Sequence, residues 1–178
     1  MMLRIHSDAS YLSVTKARSR AAGFFYLSDD SENPPLNGAI HVLCAILKNV
    51  LASAAEAETG AVFVNCQEAT SIRTTLVEMG HPQPATPVHV DKKCAVGILN
   101  ETFQQRKSKS MDMRFFWVRD RYKQGQFRIF WGKGASNLAD YFTKHHPPAH
   151  HKQMRGTYVL NHICFADTRQ VSSMACMA

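Results

Sequence analysis

The sequence predicts an α/β fold in which helices cover a sheet, and three observations support this prediction. The first 47 residues contain three short strand-like runs separated by turn residues, an arrangement typical of an antiparallel meander. The period then changes to the three- and four-residue spacing of an amphipathic helix. From there to about residue 148 strand-like and helix-like segments alternate, so that the predicted order is βββαβαβα.

Three strands are predicted at the start of the chain, over Leu3–Ser10, Arg20–Ser28 and Ala39–Leu47. In the first strand aliphatic and polar residues alternate, so that Asp8 falls on the face opposite Leu3 and Ile5. The segment Asp29–Gly38 (DDSENPPLNG) consists largely of turn residues and should connect the second strand to the third.

A long amphipathic helix is predicted from about Ala54 to Met79, and Gly80 is expected to end it. Helical phase distinguishes two glutamates near its start. Glu58 lies on or near the face that packs inward, one turn before Val62. Glu56 lies about 200° away around the helix, so it should face solvent.

The remaining predicted elements are a strand over Thr86–Asp91, helices over Cys94–Leu99 and Ser110–Lys123, a strand over Gln126–Trp131, and a last helix from Ser136 to Lys144. Ser136 is the predicted N-cap of the last helix, and Pro147 and Pro148 are expected to lie beyond its end. We therefore expect one domain over residues 1–148. Because periodicity is lost afterwards, we expect residues 149–178 to form a partly disordered tail.

The positive charge of the chain is concentrated in one segment. Residues 103–133 hold nine basic and two acidic residues, a net charge equal to the +7 of the whole chain. A solvated helix face would explain such a run, but interleaved aromatic residues favour a surface that follows a phosphate backbone. The predicted nucleic-acid contacts are Arg106, Lys107, Lys109, Arg114, Arg119, Arg121 and Lys123.

Composition argues against several classes of protein. The five cysteines are odd in number and show no C-x-x-C spacing, which argues against a disulfide framework and a structural zinc site. No secretory signal is visible, and the longest apolar stretch is far shorter than the roughly 20 residues that cross a bilayer. An intracellular location, cytoplasmic or nuclear, is therefore expected, with no membrane partner.

Four acidic residues occupy positions that could converge on one site. Asp8 lies late in the first predicted strand, Glu58 early in the long helix, Asp91 at the end of the fourth strand, and Asp140 in the last helix. Hard divalent cations prefer carboxylate oxygens, and a paired metal site needs several of them at one point. Spacing alone leaves open the alternative that these are ordinary surface acids.

Five sequence blocks resemble the ribonuclease H region of copia-type retrotransposon polyproteins. They are HSDAS (6–10), SAAEAE (53–58), VDKKCAV (90–96), KSMDMRFFWVRD (109–120) and NLADYFTK (137–144). Their order and spacing match over roughly residues 3–148. The resemblance implies a ribonuclease H-like fold, namely a mixed five-stranded sheet whose first three strands are antiparallel, flanked by helices.

The resemblance also implies an activity. Asp8, Glu58, Asp91 and Asp140 would form a carboxylate quartet that holds two Mg²⁺ ions, with Mn²⁺ as a possible substitute. The implied reaction is hydrolysis of the RNA strand of RNA–DNA hybrids. The implied partners are the hybrid and the reverse transcriptase part of a parent polyprotein. The chain begins at the first strand of the resembled domain, which is the outline expected of a polyprotein fragment.

Two departures from the family pattern leave a second hypothesis open. Lys92 and Lys93 follow Asp91 where the family usually has asparagine, and a lysine beside a metal-binding carboxylate can compete with Mg²⁺. On a strand end, however, Lys92 is expected to point away from Asp91. Gly60 stands where a larger apolar residue is usual and costs up to about 1 kcal/mol of helix stability. The alternative to an active nuclease is therefore a catalytically inactive remnant that only binds nucleic acid.

Overall fold

The computed structural model describes residues 1–31, 34–100 and 112–159. Its strands are β1 (Met2–Val14), β2 (Arg18–Ser28), β3 (Ala39–Ile46), β4 (Thr86–Val90) and β5 (Phe127–Trp131). Its helices are α1 (Ala54–Glu78), α2 (Lys93–Leu99), α3 (Asp112–Lys123), α4 (Asp140–Thr143) and α5 (Pro148–Tyr158), with a short 3₁₀ turn at Gly134–Ser136. The predicted α/β fold is confirmed.

The five strands form one mixed sheet in the order β3-β2-β1-β4-β5. The pairs β1–β2 and β2–β3 are antiparallel, whereas β1–β4 and β4–β5 are parallel. Ser7 of β1 pairs with Val90 of β4, so the next residues, Asp8 and Asp91, lie side by side where the pairing of these two strands ends. The sheet expected from the resemblance is therefore present, and its topology brings two predicted acids together.

Helices α1 and α3 cover one face of the sheet and bury its aliphatic side chains. The main core combines residues of four strands with residues of α1, α2 and α3, among them Leu3, Ile5, Phe25, Val62, Cys66, Val88, Val90, Leu99, Phe115, Val118 and Ile129. All five residues of β4 are buried, as expected for a central parallel strand. A smaller cluster packs Ala57 and Ala61 at the start of α1 against Leu47 and Leu51.

A buried asparagine fixes how closely α1 approaches the sheet. The Asn65 amide group donates hydrogen bonds to the Ser7 hydroxyl and the Ala22 carbonyl oxygen, each at 2.9 Å. A Cβ atom at Gly23 would lie 2.2 Å from Asn65 Oδ1, so only glycine permits this approach. Glu58 lies two helical turns before Asn65 on the same face, and the contact therefore also sets the depth of Glu58.

The start of α1 is capped by its own sequence. Ser53, in an extended conformation, accepts a hydrogen bond from the Glu56 backbone N–H, and Glu56 in return accepts one from the Ala52 N–H at 2.9 Å. This reciprocal arrangement resembles a capping box. Glu56 thus turns away from the core as predicted, although it is half-buried rather than fully solvated.

The predicted last helix, Ser136–Lys144, is wrong in its extent. Ser136 ends the 3₁₀ turn instead of capping a helix, and α4 spans only Asp140–Thr143. The reason lies in Asn137, whose side chain donates to the Ser7 carbonyl oxygen and accepts from the Ala139 N–H. Such side-chain bonds to the backbone offer the chain an alternative to a continuous helix.

The described residues after His145 form a separate compact unit. Its helix α5 begins at Pro148 in the first helical position, where the missing N–H and fixed φ of proline are favourable. This helix lies in the segment that was predicted as a tail. Residues 160–178 lie outside the described residues, so the disorder predicted for them stays a prediction.

None of the helices in the described ranges combines the length and the apolar character that a membrane span requires.

Candidate metal centre

Three carboxylates meet at the end of the sheet where β4 ends. Asp8 on β1, Asp91 directly after β4 and Asp140 at the start of α4 each offer an oxygen atom, and these atoms lie within 4.8 Å of one another. Asp8 is buried, while Asp91 and Asp140 are partly exposed. Converging carboxylate oxygens are the ligands that hard divalent cations such as Mg²⁺ prefer. The structure thus brings together three of the four acids named from the sequence.

Glu58, the fourth acid, lies beside this group but is not part of it. Its side chain is only 1% exposed, and its Oε1 accepts a hydrogen bond from the Lys92 ammonium group at 3.1 Å. The other oxygen, Oε2, is buried and accepts no hydrogen bond from a described residue. Helix α1 therefore presents Glu58 to the site with one oxygen already bound and one without a partner.

The electrostatics of the site favour a bound cation. Burial, with the charges of Asp140 and Asp91, raises the pKa of Asp8 to about 6, although a hydrogen bond from Thr143 opposes the shift. Burial and the charge of Asp8 raise the pKa of Glu58 to about 8, which Lys92 only partly offsets. A nearby positive charge would favour the ionised form of both groups.

The carboxylate oxygens of the site also suit a divalent metal ion. Asp91 Oδ1, like Glu58 Oε2, is buried without a hydrogen bond from a described residue. Buried polar atoms normally have a hydrogen bond, so two carboxylate oxygens without one at the same place are an exception that a metal ion would explain. The residues present therefore fit a magnesium-type site.

Two lysines contact the carboxylates, and one of them contradicts a prediction. Lys92 was expected to point away from Asp91, but its Nζ lies 3.9 Å from Asp91 Oδ1 as well as 3.1 Å from Glu58 Oε1. The Lys144 ammonium group pairs with Asp140 Oδ1, one helical turn earlier. Both lysine side chains remain partly exposed, at 42% and 55%.

The segment that carries Asp140 is tied to β1 by polar contacts that the sequence did not reveal. The Thr143 hydroxyl donates to Asp8 Oδ2. The Leu138 N–H donates to His6 Nδ1 at 3.0 Å, and burial lowers the pKa of His6 to about 3, so the imidazole is neutral and can accept this bond. The only sequence signal for these roles was that Asn137 and Thr143 fall in the same block as Asp140.

His89, the residue preceding Val90 on β4, packs within the protein. It is 4% exposed, its ring lies 4.7 Å from that of His6, and it stacks on Phe130 at 5.4 Å. Burial lowers its pKa, which disfavours the charged form. These contacts give His89 a packing role beside the site.

The predicted nucleic-acid surface is described only in part. Arg106, Lys107 and Lys109 lie outside the described residues. On α3, three guanidinium groups lie over aromatic rings: Arg114 over Phe63 at 5.6 Å, Arg119 over Phe115 at 5.0 Å and Arg121 over Trp117 at 5.2 Å. Lys123 is exposed. The arginines of α3 therefore contribute to packing, and their contact with nucleic acid stays a prediction.

The two ends of α3 lie toward opposite ends of the parallel strands: the start of α3 is near the carboxylates, and its end is near the first residue of β4. Arg114 reaches Asn49, just before the α1 terminus that carries Glu58, at 3.4 Å. The Arg121 backbone bonds to Gln126, which in turn pairs with Thr86 at the start of β4. Since β4 has five residues, Arg121 is separated from the Asp91 end by about 16 Å along the strand.

Comparison with known proteins identifies the fold. No protein-family model matches the sequence, and no curated protein matches it. Among solved structures, LC11-RNase H1, isolated from compost by a metagenomic approach, superimposes with a TM-score of 0.57 at 14% identity, covering 79% of this chain and 91% of that one. The N-terminal RNase H domain of a Mycobacterium tuberculosis protein gives 0.56 at 14% identity, with 80% and 90% covered.

A third similar structure comes from a larger protein. The prototype foamy virus protease-reverse transcriptase matches 90% of this chain and 21% of its own, with a TM-score of 0.50 at 16% identity. At such identities the likeness establishes the fold, which is ribonuclease H-like as the resemblance implied.

Proposed function

We propose that this chain is a metal-dependent ribonuclease H, derived from a copia-type retrotransposon, that hydrolyses the RNA strand of RNA–DNA hybrids. The observation that carries the proposal is the convergence of Asp8, Asp91 and Asp140 at one end of a ribonuclease H-like sheet. These three residues, with Glu58 beside them, would hold Mg²⁺ or Mn²⁺. When bound, such ions activate a water molecule and neutralise charge on the scissile phosphate.

The side chains of this protein supply position and charge rather than a nucleophile. The hydroxyl of Thr143 holds Asp8 Oδ2 and so fixes the carboxyl group of Asp8 beside Asp91 and Asp140. Asn137 anchors the Asp140 segment to the backbone of Ser7, next to Asp8. Fixed ligands of this kind place a metal-binding site without reorganisation when substrate arrives.

Hybrid as the substrate is supported by one of the similar structures. LC11-RNase H1 has been crystallised in complex with an RNA/DNA hybrid, and that structure matches this chain with a TM-score of 0.56 at 12% identity. Hybrids are close to A-form and expose 2′-hydroxyl groups in a wide minor groove, so recognition can depend on shape. Within the basic segment 103–133, Arg114, which lies toward the carboxylates, would hold the phosphates, whereas Arg121 at the other end of α3 would lie outside the contact.

A reverse transcriptase is the partner that the proposal implies. The foamy virus protein that shares the fold is a protease-reverse transcriptase, and this chain matches about a fifth of it. We accordingly propose that the chain works, or once worked, beside a polymerase that delivers hybrid inside the cell.

The test is a cleavage assay on the purified chain with a labelled RNA–DNA hybrid and Mg²⁺ or Mn²⁺. Asp8→Asn and Asp91→Asn should each reduce the rate by more than the roughly 10- to 100-fold that is typical when only a supporting residue of a metal site is changed. Glu68→Gln, at an exposed acid of α1 outside the basic segment, is the control and should cleave normally. Absence of metal-dependent cleavage by the unmodified chain would refute the proposal.

An inactive remnant is the second candidate, and the position of Lys92 favours it. An ammonium group 3.1 Å from Glu58 and 3.9 Å from Asp91 repels a metal ion from those oxygens. A remnant would bind hybrid without cutting it, binding would weaken as salt rises, and Asp8→Asn would leave binding unchanged.

A further inference from the structure

The cationic end of Lys92 lies inside the acidic site. Lys92 follows Asp91 directly, and its backbone, with φ −104° and ψ 108°, forms the N-cap of α2. The chain turns there from strand to helix, and the Lys92 side chain points toward the carboxylates. Its Nζ lies 3.1 Å from Glu58 Oε1 and 3.9 Å from Asp91 Oδ1.

The carboxylates consequently divide into two groups. Asp8, Asp91 and Asp140 lie within 4.8 Å of one another and form a set that one divalent ion could bind. The ion would compete with Lys144, which contacts only Asp140 of the three and whose side chain is 55% exposed. Glu58 lies beside them, and Lys92 is placed between Glu58 and Asp91. A second metal ion between Glu58 and Asp91 would lie beside the ammonium group, which already contacts Glu58 Oε1 and Asp91 Oδ1 and would repel the ion.

We propose that the Lys92 ammonium group is an internal cation that takes the place of a second metal ion between Glu58 and Asp91. The protein then binds one divalent ion at Asp8, Asp91 and Asp140, and a second ion binds only after Lys92 has left. This proposal rests on the proposed function only in taking the site to be a metal centre.

Two features of the site support an exchange between the lysine and a metal ion. The Lys92 side chain is 42% exposed, so it can move into solvent without opening the core. Glu58 is fully buried and its Oε2 has no hydrogen bond from a described residue. A cation beside this oxygen would therefore stabilise it. The ammonium group donates a hydrogen bond to Glu58 Oε1 and lies near Asp91 Oδ1, and these contacts hold it in place in the absence of metal.

The neighbouring lysine provides a matched control. Lys93 has the same charge and adjoins Lys92 in sequence, but its Nζ lies 4.4 Å from the centre of the Trp131 ring. Removal of its charge changes the net charge of the chain by the same amount without vacating the position between Glu58 and Asp91.

The experiment is a titration of the full chain with Mn²⁺, in which isothermal calorimetry and the paramagnetic resonance of free Mn²⁺ count the bound ions. The unmodified chain should bind one ion, and Lys92→Gln should bind two, with an affinity for the second ion at least about tenfold higher than in the unmodified chain. Lys92→Arg, which keeps the charge, and Lys93→Gln should each bind one ion.

Two outcomes would overturn the proposal. One is that the unmodified chain binds two ions, or none, and this measurement needs no variant to fold. The other is that folded Lys92→Gln, checked by circular dichroism, binds the same number of ions with the same affinities as the unmodified chain.

Cleavage measured on the same samples separates this proposal from the proposed function. One bound ion in the unmodified chain, two in Lys92→Gln and no cleavage by either would refute the ribonuclease activity and support the role of Lys92. Hybrid cleavage by an unmodified chain that binds two ions would refute the role of Lys92 alone.

Discussion

At the scale of single residues, the buried carboxyl group of Glu58 determines how stability depends on pH. Its pKa in the fold is about 8, above the ordinary value of 4.5, because of burial and the nearby charge of Asp8. The folded chain therefore keeps a proton that the unfolded chain releases between these two values. Stability contributed by this proton is complete below about pH 4.5 and is lost as pH rises toward 8.

We therefore expect the melting temperature of the metal-free protein to fall between about pH 6.5 and pH 8. At lower pH the raised pKa of Asp8, about 6, acts in the same direction. Burial lowers the pKa of His6 to about 3, however, so the proton that unfolded His6 takes up below pH 6.5 acts in the opposite direction. Glu58→Gln should remove most of this fall in melting temperature. Thermal melts followed by circular dichroism in the presence of a chelator will measure it. Glu56→Gln, which alters a helix cap, should keep the slope of the unmodified protein. Equal slopes for Glu58→Gln and the unmodified chain would contradict this account.

Thr143 is a positioning residue whose hydroxyl group holds Asp8. Thr143→Val removes that hydrogen bond at nearly constant volume, and Mn²⁺ affinity should fall about 10- to 100-fold, as is typical for partners that orient a metal ligand. Thr143→Ser should restore it, because the hydroxyl is kept. Thr74→Val, which loses only a hydroxyl bond to the Thr70 carbonyl oxygen on α1, is the control. Equal affinities for Thr143→Val and Thr143→Ser would exclude the positioning role.

The sequence predicted which elements carry the four acids, and the family resemblance grouped them into one site, of which the structure brings three together. The direction of Lys92 could not be predicted. Asp8 follows from strand alternation and Glu58 from helical phase, since both lie within regular elements. Lys92 lies at the junction of β4 and α2, where neither period applies. There the turn of the backbone decides the direction of the side chain, and the expectation from strand alternation was wrong.

At the scale of elements, two buried glycines lie where α1 packs against its neighbours, and they differ in whether a methyl group would fit. At Gly60, inside α1, the atom nearest to an added Cβ is Leu47 Cδ1 at 3.4 Å, an ordinary contact. Gly60→Ala should therefore stabilise the protein by about 0.5–1 kcal/mol through helix propensity. At Gly23 an added Cβ would lie 2.2 Å from Asn65 Oδ1, so Gly23→Ala should destabilise by about 1–3 kcal/mol.

Urea denaturation of the two alanine variants will measure these free energies of unfolding against the unmodified chain. A loss of stability in Gly60→Ala would show that the α1 contact with Leu47 has no room for a methyl group. An unchanged stability in Gly23→Ala would show that Asn65 can move away from the sheet.

Element prediction failed where a distant contact decides the local conformation. The pattern of Ser136–Lys144 is compatible with a helix, but Asn137 bonds to the backbone of Ser7, 130 residues earlier. Helix α5 was missed because Pro148 was interpreted as a stop, although proline also favours the first position of a helix. By contrast, α1 was predicted closely because its 25 residues provide many turns of consistent spacing.

At the scale of the whole molecule, the parallel pairing of β1 with β4 creates the site. The two strands are separated by more than 70 residues, and periodicity alone does not specify which strands pair. The family resemblance implied a mixed five-stranded sheet whose first three strands are antiparallel, which the structure confirms, but it did not specify the strand order. The positive charge is the second property of the whole molecule, and its distribution along α3 permits a test of hybrid binding.

Arg114 and Arg121 should contribute differently to hybrid binding, because α3 carries them toward opposite ends of the parallel strands. Arg114 reaches Asn49 near the carboxylates, whereas Arg121 adjoins Gln126 near the first residue of β4 and lies over Trp117. Arg114→Gln should weaken hybrid binding and reduce the slope of log affinity against log salt by about 1. Arg121→Gln should leave the hybrid affinity and its salt slope unchanged. Loss of the Arg121 side chain should instead lower the free energy of unfolding by about 0.5–1 kcal/mol, because its contact with Trp117 is lost.

Fluorescence anisotropy of a labelled hybrid over a range of KCl concentrations measures the salt slope of each variant. A larger loss of slope in Arg121→Gln than in Arg114→Gln would place the hybrid at the end of the parallel strands away from Asp91 and would separate the basic surface from the carboxylates.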